Sequence, residues 1–116
     1  MDEIGLKTTN RKRGAGVIVE LDGDLDIYSA PQFRGELGKA LADHGDTALF
    51  IDLRNLRFID SAGLAVLLWA QSARRESRHA MQVLIEPGSQ AERVFRLSGL
   101  ESTLAIVDDP RRLSGP

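Results

Sequence analysis

Stretches of β-branched and alternating residues interleave along this chain with stretches whose apolar residues recur at helical spacing. In Val17-Ile18-Val19-Glu20-Leu21-Asp22, Val17, Val19 and Leu21 share one face and Glu20 and Asp22 the other, the pattern of a strand with one face inward. Gly23-Asp24-Leu25-Asp26 closes it. Upstream, Ile4 to Thr9 reads as a short edge strand, and Arg11-Lys12-Arg13-Gly14-Ala15-Gly16 as a flexible charged turn between the two. Phe33, Leu37, Ala40 and Leu41 predict a helix from Ala30 to about Asp43. Ser29-Ala30-Pro31-Gln32 has the form of a capping box, with proline tolerated in the first turn because its missing N–H would be unpaired there. His44-Gly45-Asp46 is the helix exit. Ala48 to Leu53 is apolar at nearly every position, as in a central strand covered on both faces.

After that strand, Arg54 to Ile59 reads as a loop that hands over at Asp60-Ser61 to a helix spanning Ala62 to Glu76. At about 100° per residue, Ala62, Val66, Trp69, Ala70 and Ala73 cluster on one side with Leu67 beside them, the expected core face. Ser61, Ala65, Leu68 and Ser72 share another side. Two readings of Leu64 and Leu68 stand side by side: simple core, or an apolar patch beside Ser61 for a partner. Arg74-Arg75-Glu76-Ser77-Arg78-His79 reads as a solvated charged turn, its cations favourable at a helix C-terminus.

Ala80 to Ile85 is a further strand, ended by Pro87-Gly88. Ser89-Gln90-Ala91-Glu92 forms a second capping box, Val94, Phe95 and Leu97 give the next helix its apolar side, and Gly99 suits its C-terminal cap. Leu104 to Val107 is a last short strand, and Asp108 to Pro116 a frayed tail. Strands alternating with helices predict an α/β fold: a mainly parallel, mixed sheet of about five strands, its first hairpin antiparallel. With 116 residues and no linker or repeat, the chain reads as a single domain over 1–116, its core spanning about 17–107.

Composition narrows the chemistry. A 42% hydrophobic and 28% charged chain lies in the soluble globular range. A net charge of −2 argues against nucleic-acid binding driven by bulk positive charge, so no direct nucleic-acid partner is expected. The absence of cysteine removes disulfides and thiolate metal sites. No apolar run reaches the roughly 18 residues of a membrane span, and Met1-Asp2-Glu3 lacks the order of a signal peptide. The expectation is a cytoplasmic protein with no membrane association.

Serine hydrolysis fits poorly, because a nucleophile elbow needs glycine two positions before and after the serine, and Ser61 is flanked by Ile59 and Gly63. The only histidines, His44 and His79, obey no triad spacing. Asp22, Asp24 and Asp26 lack the glycine and distal glutamate of a calcium loop, and no phosphate loop or dinucleotide fingerprint is present. No metal, cofactor or catalytic residue is therefore assigned. At the start of a helix, by contrast, unpaired N–H groups and the dipole favour an anion. Asp60 and Ser61 are both good N-caps; if Asp60 takes that place, the Ser61 hydroxyl is left to point outward, the only acceptor in the motif because Ala62 has none. Asp26, at another strand's exit, lies at the same end of a parallel sheet and could flank the same site, its simpler role being turn chemistry.

Asp60-Ser61-Ala62-Gly63-Leu64 after Ile51-Asp52-Leu53, with Gly23-Asp24-Leu25-Asp26 upstream and Leu97-Ser98-Gly99-Leu100 downstream, resembles the STAS domain of bacterial anti-sigma factor antagonists. The resemblance runs from about Val17 to Val107. It implies a binding module, not an enzyme. Such a module binds an anti-sigma factor, itself a serine kinase, and frees the sigma factor. The kinase phosphorylates the serine of the motif, here Ser61, to end binding, and a serine phosphatase restores it. The residues expected to meet the partner are Asp26, Asp60, Ser61, Ala62, Gly63, Leu64, Ala65 and Leu68. Ala62 departs from the family, in which serine or threonine is commoner there. Some relatives instead serve, unphosphorylated, as scaffold subunits of transport or lipid-trafficking complexes.

Overall fold

The computed structural model describes residues 5–43, 47–74 and 81–113. Five strands, β1 (Leu6–Arg13), β2 (Gly16–Leu25), β3 (Leu49–Ile59), β4 (Met81–Leu84) and β5 (Ala105–Val107), form one sheet in the order β1-β2-β3-β4-β5. β1 and β2 are an antiparallel hairpin, and every later pairing is parallel. Helices α1 (Ala30–Asp43), α2 (Ser61–Ala73) and α3 (Gln90–Ser98) make the parallel crossovers. Each crossover steps the sheet in the same direction, so with right-handed connections all three helices fall on one face. The core shows this: Phe33 and Leu37 of α1, Val66, Leu67 and Ala70 of α2, and Ala91 and Phe95 of α3 join Val17, Val19, Leu21, Leu49, Ile51 and Val83 of the strands. The alternating mixed sheet expected from the sequence is what forms.

The opposite face is covered differently. Phe50, Leu84 and Ala48 pack with Leu113 and, at the margin, Ile18 and Val107. Arg13 lays its guanidinium over the Phe50 ring, 4.6 Å from its centroid. On the same face the carboxylate of buried Asp52 accepts from the Nε, Nη2 and backbone N–H of Arg54 at 2.9–3.1 Å, which raises the Arg54 pKa above its ordinary value. The chain beyond β5, where a frayed tail is expected, makes a 3-10 turn at Pro110–Arg112 that seats Leu113. Arg111 closes this turn by donating its side chain and backbone N–H to Asp109, which holds that carboxyl below the usual range, at about 2.

Other expectations shift for identifiable reasons. Arg11-Lys12-Arg13 is not a turn but the end of β1, opposite Ile18, Val17 and Gly16, with only Gly14 and Ala15 turning. Arg54 to Ile59 is not a loop but the second half of β3. Its register against β2 shifts twice, between Glu20 and Asp22 and between Gly23 and Asp24. Each extra residue on β3 resets the alternation, so Leu53, Leu56 and Ile59, three apart, all turn inward. β2 likewise runs on through Gly23, whose φ of 115° only glycine adopts readily. A Cβ there would meet the Gly5 carbonyl oxygen at 2.0 Å.

Ser29 and Gln32 make no capping box: the Ser29 hydroxyl donates to the Asp24 carbonyl, and Gln32 donates to Glu36. Ser89 does accept from the Glu92 N–H, while the Glu92 carboxylate reaches the Gly88 N–H, one residue earlier than the motif specifies. Gly99 caps α3 with φ 77°. Leu97 faces solvent instead of the core, as does Ala73. Trp69 is half-buried, its ring under the Arg34 guanidinium. Arg74 is buried and donates to the Thr47 carbonyl, so it is not part of a solvated turn. The expected helix exit at His44 to Asp46, the charged turn from Arg75 to His79, and the ends of the chain lie outside the described residues.

One pairing bears directly on the site. β4 ends opposite Asp52, and among the described residues no strand pairs with the rest of β3 on that side. The Gln90 amide takes the place of a strand: its Oε1 accepts from Ile59 N–H and its Nε2 donates to the Ile59 carbonyl, both at 2.9 Å. A Gln90→Leu variant should therefore lose about 2 kcal/mol by urea unfolding, since part-buried backbone groups go unpaired. Gln32→Leu, which removes an exposed bond, should stay within about 0.5 kcal/mol. A Gln90→Leu loss no larger than that control would refute the strand-substitute role. For the C-terminal turn, the Asp109 carboxyl should titrate by NMR near 2. Its share of the turn's stability is then present at higher pH and disappears as pH falls through that value. In Arg111→Ala the midpoint should rise toward the ordinary carboxylate range, with the backbone N–H of residue 111 still bonded.

Candidate partner-binding site

β2 and β3 end side by side, with Leu25 paired to Ile59, so the two loops that follow emerge together. Asp60, extended at φ −118° and ψ −172°, caps α2: its Oδ1 accepts from Ala62 N–H at 2.9 Å and from Gly63 N–H at 3.2 Å. Its backbone N–H donates to the Leu25 carbonyl and its carbonyl accepts from Leu64 N–H. The second carboxylate oxygen leaves the helix altogether. It accepts, at 3.1 Å, the N–H of Ile27 in the neighbouring loop.

That loop carries its own scaffold. Asp26 Oδ1 accepts from Tyr28 N–H at 2.9 Å and Ser29 N–H at 3.1 Å, an Asx turn. Ser29, fully buried, accepts from Asp26 N–H and donates to the Asp24 carbonyl. Asp24 in turn pairs with Arg57 of β3 at 3.3 Å. Asp26 and Asp60 thus stand at one site, held to the same loop from two sides.

Gly63 is where α2 meets the sheet. A Cβ at this position would lie 2.7 Å from Leu25 Cγ and 2.9 Å from Ile59 Cγ1, so only glycine permits the helix to sit so close to the strand ends. That approach sets which residues of the first turns face out. Ser61, the first helical residue, and Ala65 are exposed; Ala62 and Leu68 are half-buried; Gly63 and Leu64 are buried. Of the two readings of Leu64 and Leu68, Leu64 belongs to the core and Leu68 lies at its margin. Among the described residues the Ser61 hydroxyl makes no hydrogen bond, whereas two of the helix's first N–H groups are already taken by Asp60.

The sequence reading misses the most conspicuous apolar groups here. Ile27 is 65% and Tyr28 80% exposed. The signal was present as two large apolar residues inside an otherwise polar strand-to-helix turn, Asp26-Ile27-Tyr28-Ser29. Among the described residues no three His, Cys, Asp or Glu side chains are placed to hold a metal ion, and no helix is long and apolar enough to cross a membrane.

The family model described as "Mlab, STAS domain" matches residues 8–108. The anti-sigma F factor antagonist of Lysinibacillus sphaericus is 29% identical over 84 residues, 72% of this chain and 71% of that protein. A crystal structure of an anti-sigma factor antagonist from Mycobacterium paratuberculosis superposes with a TM-score of 0.78 at 23% identity, covering 91% of this chain and 88% of that one. The Bacillus cell fate determinant SpoIIAA in its phosphorylated form has the same fold, with a TM-score of 0.66 at 21% identity over 90% of this chain and 95% of that one. With a sheet, a helix arrangement and a family match that span nearly its whole length, the chain belongs to the STAS domain family and has the fold of the anti-sigma factor antagonists.

Proposed function

We propose that this protein is an anti-sigma factor antagonist whose binding is gated at Ser61. Unphosphorylated, it binds an anti-sigma factor serine kinase and so releases the sigma factor. Phosphorylation of Ser61 by that kinase ends the interaction, and a serine phosphatase restores it. The observation that carries the reading is the exposed Ser61 hydroxyl on the first turn of α2, which makes no hydrogen bond among the described residues because Asp60 does the capping. Relatives named as anti-sigma factor antagonists support it.

The physical effect is local. A phosphate adds about −1.5 to −2 charges and three acceptor oxygens. Here it arrives beside Asp60, with Asp26 at the same site and the Ala62 and Gly63 amides already occupied. The helix dipole still favours an anion at this end, but no vacant pair of those amides is offered to fold it inward. The added charge therefore projects into whatever surface is docked on Ser61, Ala65 and the neighbouring loop. Desolvating it there opposes binding without any rearrangement of the fold. A binding module of this kind needs no catalytic residue of its own.

Ser61→Ala should bind the kinase and keep binding after incubation with ATP, whereas wild type should dissociate as its mass rises by one phosphate. Ser61→Asp, with one negative charge, should bind at least 10-fold more weakly, about 1.4 kcal/mol. Titration calorimetry with each variant and intact-mass spectrometry of the kinase reaction read these outcomes. Equal affinity of all three proteins would place the gate elsewhere, and a wild-type chain left unmodified by every kinase would favour a scaffold subunit.

A further inference from the structure

We infer that Ile27 and Tyr28 are the apolar anchor through which this site grips its protein partner, and that Asp60 is the positioning residue that holds them. This rests on the binding role proposed above for the surroundings of Ser61. The two side chains are the most exposed large apolar groups at this end of the sheet, and they are adjacent in sequence. Isolated exposed apolar residues are ordinary, and Leu97 on α3, 84% exposed, is such a case. The pair on the loop differs in its backing. Four backbone N–H groups in succession, those of Asp26, Ile27, Tyr28 and Ser29, are each bonded to a side-chain oxygen: Ser29 Oγ, Asp60 Oδ2, Asp26 Oδ1 and Asp26 Oδ1 again. A loop pinned at each amide loses little freedom on binding, which is the condition under which exposed aromatic residues contribute most to an interface.

The occupant is a protein with an apolar cleft. The Asp60 and Asp26 carboxylates hold the backbone amides of the pair, and among the described residues neither makes an ion pair, whereas nearby Asp24 pairs with Arg57. An anionic lipid surface would be repelled by these carboxylates. A second copy of the chain would bring the same carboxylates against them. A partner bordered by cationic groups meets neither obstacle. The anchor is continuous with Ser61, because Asp60 spans both: one carboxylate oxygen holds the helix whose first residue is Ser61, the other holds Ile27. Occupying the anchor thus brings the partner over the hydroxyl.

The test uses the full chain and the purified anti-sigma factor serine kinases of its source organism, with affinities read by titration calorimetry. Tyr28→Ala and Ile27→Ala should each weaken binding at least 10-fold with an unchanged melting temperature, while Leu97→Ala stays within twofold. Asp60→Asn separates holding from capping, since asparagine is as good an N-cap but its amide nitrogen cannot accept from Ile27 N–H. Its helix should persist by circular dichroism, the Ile27 amide should exchange with solvent at least 10-fold faster, and affinity should fall. If Tyr28→Ala and Ile27→Ala bind like wild type while Ser61→Asp is weak, the anchor is refuted and the Ser61 gate stands. An Ile27 amide that exchanges equally fast in wild type and Asp60→Asn refutes the positioning role. Wild type that binds none of these kinases overturns the underlying reading and the anchor with it. Concentration-dependent dimers lost in Tyr28→Ala would reassign the anchor to a second copy.

Discussion

One carboxylate organises the end of the sheet where β2 and β3 run out. Asp60 accepts two N–H groups of α2 and one from the β2–α1 loop, while its own backbone bonds Leu25 and Leu64. Hydrogen bonds to an ionised acceptor are stronger than neutral ones, and here they tie a helix, two strand ends and a loop to a single side chain. A lone N-cap would need only the first two. The third bond ties the loop's position to the helix terminus.

The sheet supplies the platform. Because each parallel crossover steps the same way, the C-terminal ends of β2 and β3 are neighbours, and the segments after them start together. The two register shifts carry β3 on to Ile59, level with Leu25. Gln90 then completes the hydrogen bonding of Ile59 where β4 has already ended. Gly63 lets α2 settle onto Leu25 and Ile59. Each is a small local device, and together they place Asp60 within reach of Ile27.

Much of this was legible in the residues. The element order, the bounds of α1, the α3 cap at Gly99 and the placing of Ser61 at a helix start follow from periodicity and cap chemistry. What escaped has physical causes. Leu53, Leu56 and Ile59 repeat every three residues, which contradicts a strand unless bulges are known, and nothing in the apolar pattern announces a bulge. The wheel of α2 treats Leu64 and Leu68 alike, yet the glycine-mediated approach of its first turn buries Leu64 and leaves Leu68 at the margin. Leu113 looked like part of a tail, because its partners Phe50 and Leu84 lie on a sheet face that only the three-dimensional order reveals. Ile27 and Tyr28 went unremarked since exposure is a tertiary fact.

If Ser61 is phosphorylated as proposed, its exposure constrains how the phosphate acts. A helix N-terminus with all its amides vacant can wrap an anion and mask part of its charge. In this chain the Asp60 carboxylate already holds the Ala62 and Gly63 amides. An incoming phosphate must either displace a ligand that is itself anionic and tethered, or remain outside the cap. Displacement would also release Ile27, since the same carboxylate holds it. Remaining outside keeps the loop in place and sets full charge against the docked surface. Under the proposed gate, both routes would oppose an apolar contact at Ile27 and Tyr28, one by loosening the proposed anchor and the other by charging its border.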